Sequence, residues 1–252
     1  MQIVINGILT HYELINPKAE TPVIVLHGWG QNSSHWLPLA KKISDQFRLY
    51  LLDLPGFGGT KNLAGGSGIP EYVKFVKNFA AKNNLKKITL VGHSFGGQIA
   101  AEFALKFPGL LNKTIFIDAA IVRKRKLLTG LKILAAKIIK LPTLFLPGSL
   151  REKILTFSTP KDYAQANPYQ RSVLKKILRQ DIGAKVHLIK IPTEIIWGSE
   201  DKEISYQGKF LVEAIPSASL HIIYGADHSP QLGQPNKLAA ILNQIFSENE
   251  PT

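Results

Sequence analysis

The chain has 252 residues, 45% hydrophobic and 19% charged, with 31 Lys+Arg against 18 Asp+Glu and a formal net charge of +13. At about 150 residues per domain this is fewer than two domains, and the apolar content suffices for a sizeable core, which excludes an intrinsically disordered chain. No cysteine is present, so a disulfide scaffold, a cysteine nucleophile and a thiolate metal site are excluded, and the cytoplasm is the simpler expected location.

The opening stretch, Met1 to Gly7, is too short and polar for a signal peptide and reads as a first strand and turn. In chain order the sequence predicts strands at 2–5 and 9–14, joined through Asn6-Gly7 as a hairpin, then strands at 22–26 and 48–53. A helix follows at 70–83, a strand at 87–91, a helix at 95–107 and a strand at 113–118. After a long interruption come a strand at 193–197, a weaker helix at 206–214, a strand at 219–224 and a helix at 236–246. Strand-length apolar runs alternating with helical patterns imply an α/β fold: an eight-stranded, mostly parallel sheet flanked by helices. Gly65-Gly66-Ser67-Gly68 reads as a flexible connector.

The interruption carries the charge. Residues 121–190 hold 16 Lys+Arg and three acids, Glu152, Asp162 and Asp181, so this segment alone is +13 and the rest is neutral. The expected organisation is a core of residues 1–120 and 187–252 with a basic helical cap inserted at 121–186. Within it, Arg123-Lys124-Arg125-Lys126 precedes a helical pattern in which Leu127, Leu131, Leu134, Ile138 and Leu141 share one stripe that Lys132, Lys137 and Lys140 avoid. A second basic helix is expected over 169–179.

Gly92-His93-Ser94-Phe95-Gly96 fits G-x-S-x-G, with a strand running into it and a helix leaving it. A tight strand-to-helix turn exposes a serine hydroxyl, the flanking glycines avoid clashes, and the helix N-terminus faces developing negative charge. The hydroxyl needs a base, and His228 follows the last strand, on the sheet edge where Ser94 lies. Asp201, after strand 193–197, is the expected acid that orients the imidazole. Glu200 and Asp118 are alternative acids, Asp118 because it ends strand 113–118. For the oxyanion, the turn His27-Gly28-Trp29-Gly30 would bring the Trp29 N–H beside that of Phe95, each worth ~3 kcal/mol in the transition state. His27 is expected to brace its loop, His35, His187 and His221 to be surface or cap residues, and His93 to point away from the reacting groups. The Gly-rich turn lacks a following G-K-[ST] and is no Walker phosphate cradle.

These motifs, with Asp53-Leu54-Pro55-Gly56-Phe57-Gly58, Trp197-Gly198 and Gly225, resemble the α/β-hydrolase fold superfamily in its serine esterase and lipase branch with a helical cap. The resemblance implies a Ser94–Asp201–His228 triad, a pocket between core and cap, a structural turn at Asp53–Gly58, and neither cofactor nor metal. The motifs are specific for the fold and not for a substrate; the expected activity is hydrolysis of carboxylic esters of small to medium acyl chain through an acyl-enzyme. Cleavage of a C–C bond in a diketone by the same triad, or a catalytically silent ligand-binding member of the fold, are the alternatives. A Ser at position 94 argues against haloalkane dehalogenases and epoxide hydrolases of this fold, which place an Asp there.

A small-molecule ester is the expected substrate partner. The basic cap fits a solvated lid face, an anionic membrane surface or an acidic protein partner. The esterases that demethylate pimeloyl groups on acyl carrier protein are similar at His27–Gly30 and Asp53–Gly58, and imply an acidic carrier. A nucleic acid is disfavoured, because the basic run has no interleaved aromatic platform. The oligomeric state is left open.

Overall fold

The computed structural model describes residues 1–63, 67–122 and 166–247. Eight strands form one sheet: β1 (Gln2–Ile5), β2 (Ile8–Ile15), β3 (Thr21–Leu26), β4 (Phe47–Leu52), β5 (Ile88–His93), β6 (Leu111–Ile117), β7 (Thr193–Gly198) and β8 (Ala218–Ile223), in spatial order β1-β2-β4-β3-β5-β6-β7-β8. β1–β2 and β2–β4 pair antiparallel, and every later pairing is parallel. All eight expected strands are present, with ends displaced by at most two residues.

The helices are α1 (Leu37–Ala40), α2 (Ile69–Lys82), α3 (Phe95–Lys106), α4 (Pro168–Ile177), α5 (Gly208–Ala214), α6 (Pro230–Gly233) and α7 (Pro235–Ser247). Strand alternation sorts the core into two layers. Ile24 and Leu26 face α2, α3 and α5, alongside Phe79, Phe103 and Leu211. Val23 and Val25 face α1 and α7, alongside Leu39, Leu242 and Phe246. In α2 the buried residues Tyr72, Val73, Val76, Phe79 and Ala80 fall on one helical stripe, and Glu71 returns to accept the Gly68 N–H at 2.6 Å, closing the first turn.

α4 confirms a helix in the second basic stretch but begins at Pro168 and ends at Ile177. Asn167 and Gln170 cap it reciprocally, at 2.9 and 3.0 Å, and Pro168 occupies a first-turn position where no N–H is missed. Its Val173 and Ile177 are buried, whereas Arg171, Lys175 and Lys176 are exposed. The basic run Arg123–Lys126 and the stripe Leu127–Leu141 lie outside the described residues, as does most of the expected 121–186 cap. Gly65 and Gly66 of the expected connector lie outside them too. Among the described residues no helix is long and apolar enough to cross a membrane.

β5, β6, β7 and β8 run parallel, so the loops leaving their C-terminal ends gather along one edge of the sheet. In open parallel sheets that edge is where ligands bind.

Candidate active site

Ser94 stands between β5 and α3 with φ 49° and ψ −107°, a left-handed φ that a non-glycine residue adopts at a cost of about 1–3 kcal/mol. Its backbone is held on both sides: the Ser94 N–H donates to Ile117 O at 3.0 Å, and Ser94 O accepts from Ala120 N at 3.1 Å and Gln98 N at 3.2 Å. The glycines are a packing requirement. A Cβ on Gly92 would run into the Gly96 carbonyl, and one on Gly96 into the Leu26 carbonyl of the neighbouring strand. The strand-to-helix joint can therefore be this tight only with hydrogen at both positions.

His228, in the loop after β8, places Nε2 2.9 Å from Ser94 Oγ and Nδ1 2.8 Å from Asp201 Oδ2. The hydroxyl donates to Nε2 and the Nδ1–H donates to the carboxylate. Asp201 Oδ1 accepts the N–H groups of Glu203 at 2.8 Å and Ile204 at 3.0 Å. The loops carrying Asp201 and His228 are laced together, Glu200 N–H donating to Ala226 O at 2.9 Å and Gly225 N–H to Ser199 Oγ at 2.9 Å.

Burial opposes ionisation of Asp201, but the His228 hydrogen bond and the two backbone N–H groups outweigh it and hold its pKa below the ordinary carboxylate value. Burial likewise depresses His228, yet the hydrogen bond and charge of Asp201, with smaller help from Glu203, leave its pKa raised. Glu203 Oε2 stands 3.7 Å from His228 Nε2 on an exposed side chain.

A pocket of about 670 Å³ opens over Ser94 and His228. Trp29, Phe95, Ala120, Leu174, Ile177 and Ile204 give it an apolar wall. The Trp29 ring meets Phe57 at 5.0 Å and Phe95 at 5.7 Å, both edge to face. Phe95 is the first residue of α3, so its N–H has no partner within the helix. Trp29 and Phe95 thus both line the pocket beside Ser94.

Among the other expected residues, His27 braces its loop: Nδ1 bonds Gly28 O at 2.8 Å and Nε2 accepts the Leu54 N–H at 3.0 Å. Burial lowers its pKa to about 4, so the ring is neutral. Asp53 ties its turn together through Ser33 N–H at 2.6 Å, Gly59 N–H at 2.8 Å and His11 at 2.9 Å. Glu200 is exposed. Asp118 is fully buried, with Oδ1 on the Gly198 N–H at 2.9 Å, and it is Asp201, not Asp118, whose carboxylate meets His228 Nδ1. The polar atoms of Asp118, Asp201 and His228 lie within 4.8 Å of one another. His228 and Asp201 are already paired within this cluster, through Nδ1 and Oδ2 at 2.8 Å.

Two residues depart from expectation. His93 does not point away: its ring packs 5.0 Å from that of His228 and its Nε2 lies 2.6 Å from His228 O. Burial lowers its pKa to about 3. As the last residue of β5 it leaves the pleat opposite to Gly92, a direction legible only once the strand end was fixed at residue 93. His221 is only a quarter exposed and bonds Glu194 Oε2 at 2.9 Å, because Glu194 is occupied with the buried Lys113 and needs a second donor. Sequence reasoning missed Gln31, whose Oε1 accepts the Gly28 N–H at 3.3 Å and whose Nε2 reaches Ser229 Oγ at 3.3 Å, joining the Trp29 turn to the His228 loop.

The model for the alpha/beta hydrolase fold matches residues 21–235, and the chain belongs to that family. Monoacylglycerol lipase ABHD6 of Homo sapiens is 25% identical over 257 residues, covering 90% of this chain and 75% of that protein. A crystal structure of a bacterial membrane phospholipase A superposes with a TM-score of 0.80 at 21% identity, over 99% of this chain and 86% of that one. A meta-cleavage product hydrolase from Pseudomonas fluorescens IP01 gives 0.74 at 20% identity, over 99% and 98%.

Proposed function

We propose that the protein is a serine hydrolase of carboxylic esters with small to medium acyl chains. The observation that carries this reading is the unbroken run of hydrogen bonds from Asp201 through His228 to Ser94 Oγ, with Ser94 and His228 lining a pocket that has an apolar wall. In this reading Ser94 attacks the acyl carbon while His228 Nε2 takes its proton. The oxyanion forms against the N–H groups of Phe95 and Trp29, where preformed donors in a water-poor site lower the barrier by ~3 kcal/mol each. Protonated His228 returns the proton to the leaving alcohol. Water then enters and attacks the acyl carbon as it gives a proton to His228, which passes that proton to Ser94 Oγ as the acid leaves. Asp201 stays ionised throughout, holding the Nδ1–H tautomer and stabilising the imidazolium.

A pocket of about 670 Å³ suits a ligand of drug-like size. The similarity to a monoacylglycerol lipase makes glycerol monoesters a sensible second substrate series. The test is hydrolysis of p-nitrophenyl esters from C2 to C12, and of monoacylglycerols, by the wild type and by Ser94→Ala. Turnover by the wild type that Ser94→Ala abolishes is expected. No turnover on any ester, or turnover that survives in Ser94→Ala, overturns the reading; cleavage of a vinylogous diketone in place of esters would move the chemistry to a C–C bond.

A further inference from the structure

The proton inventory behind the pocket has one carboxyl too many. Asp118 follows β6 with φ 42°, and its N–H is fixed to Ile196 O at 3.0 Å, so the side chain is aimed by the sheet and not by a mobile loop. Oδ1 takes the Gly198 N–H at 2.9 Å. Oδ2 is fully buried and has no donor among the described residues, although a buried carboxylate oxygen left bare is costly. A carboxylate oxygen of Asp118 lies within 4.8 Å of one of Asp201.

Two carboxylates that share a buried site push the pKa of one of them up. The donors decide which one keeps the proton. Asp201 receives three hydrogen bonds, from His228, Glu203 and Ile204, whereas Asp118 receives one, from Gly198. Asp201 is therefore the anion, and a protonated Asp118 turns its bare oxygen into a donor.

We propose that Asp118 is a positioning residue that donates a carboxyl hydrogen bond to Asp201, extending the line Ser94–His228–Asp201 by one further member and fixing the plane of the orienting carboxylate. Burial first, and the neighbouring Asp201 charge second, push the Asp118 pKa up to about 8 against the opposing Gly198 N–H and His228. The charged or titratable groups that bear on the pair are His228 from the β8 loop, with Glu203 3.7 Å from its ring, and buried, neutral His93 from β5. Above that pH Asp118 loses its donor and becomes a second anion beside Asp201, which pushes Asp201 off the imidazole.

The inference rests on the ester-hydrolase reading only for its kinetic arm. In the spectroscopic arm, aspartate carboxyls are labelled with ¹³C and titrated by NMR from pH 4 to 10. One carboxyl is expected to titrate near pH 8, to vanish in Asp118→Asn, and to titrate at distinctly lower pH in Asp201→Asn, where the like charge is gone. In the kinetic arm, the wild-type kcat is expected to fall above pH 8, and this alkaline limb to be absent in Asp118→Asn, which keeps a donor but does not ionise. Asp118→Ala is expected to lower kcat about tenfold with KM within about twofold, most of the loss being restored by Asn. Absence of any aspartate carboxyl titrating above pH 6, or an alkaline limb unchanged in Asp118→Asn, overturns the proposal. If the wild type hydrolyses no ester, only the functional reading fails, and the spectroscopic arm still decides for or against the Asp118 proton.

Discussion

The Nε2–H of His93 donates to the backbone carbonyl of His228 at 2.6 Å, so the residue before Ser94 grips the main chain of the histidine that Ser94 itself contacts. This gives the Ser94–His228 distance two independent determinants, one through side chains and one through backbone. His93→Phe keeps a ring in the same space but removes the donor, leaving a buried carbonyl unpaired at a cost of ~1–3 kcal/mol. The expected outcome is that loss in urea denaturation, together with about a tenfold fall in ester kcat. A variant with wild-type stability and kcat would show that the contact does not position His228.

The raised pKa of His228 sets the acid side of the activity profile. Only the neutral imidazole accepts the Ser94 proton, so activity grows as pH rises through the His228 pKa, and that pKa lies above the ordinary histidine value of about 6.5. Asp201→Asn removes the main raising influence. The acid limb of kcat/KM should then move to lower pH while kcat falls by about 10⁴, the scale of a lost orienting carboxylate. A pH–rate profile of the two proteins measures both effects.

Gly92 and Gly96 each face a backbone carbonyl that a methyl group would strike. Gly96→Ala must push α3 away from β3 or tilt the turn, and a shift of about 1 Å in a reacting group costs on the order of 100-fold. A fall in kcat of at least that size is expected, with a loss of ~1–3 kcal/mol in stability from overpacking. Titration of Ser94 with a covalent serine-directed phosphonate, beside thermal unfolding, separates misplacement from unfolding.

Far from the pocket, Lys113 and Glu194 form a buried ion pair at 3.1 Å, with His221 on the other carboxylate oxygen at 2.9 Å. Removing one partner strands the other charge in the core. Glu194→Leu is expected to cost ~3–5 kcal/mol in urea denaturation, and adding Lys113→Met to recover most of it, because a packed apolar pair replaces an ion pair at little net cost. Ester kcat should stay within about twofold in any variant that remains folded.

Most of this architecture was legible in the sequence, for physical reasons that also mark where legibility ends. Strands such as β3 and β5 are buried on both faces and so write near-continuous apolar runs; Ser94 follows β5, Asp201 the equally buried β7 and His228 the half-buried edge strand β8, which suffices to place them on one edge. One-turn helices such as α1 and α6 leave no periodicity and were not foreseen. The direction of a side chain at a strand end is equally silent, which is why His93 was assigned away from the pocket. Asp118 was read as a rival to Asp201. Both end parallel strands, and only the number of N–H donors each receives distinguishes an anion from its protonated neighbour.

Ser94 takes its place from β5, from the carbonyl and amide of the adjoining β6 edge, and from the start of α3. A hydroxyl pinned by two strands and the start of a helix is set before any ligand arrives, so the fold meets its substrate as a finished mould.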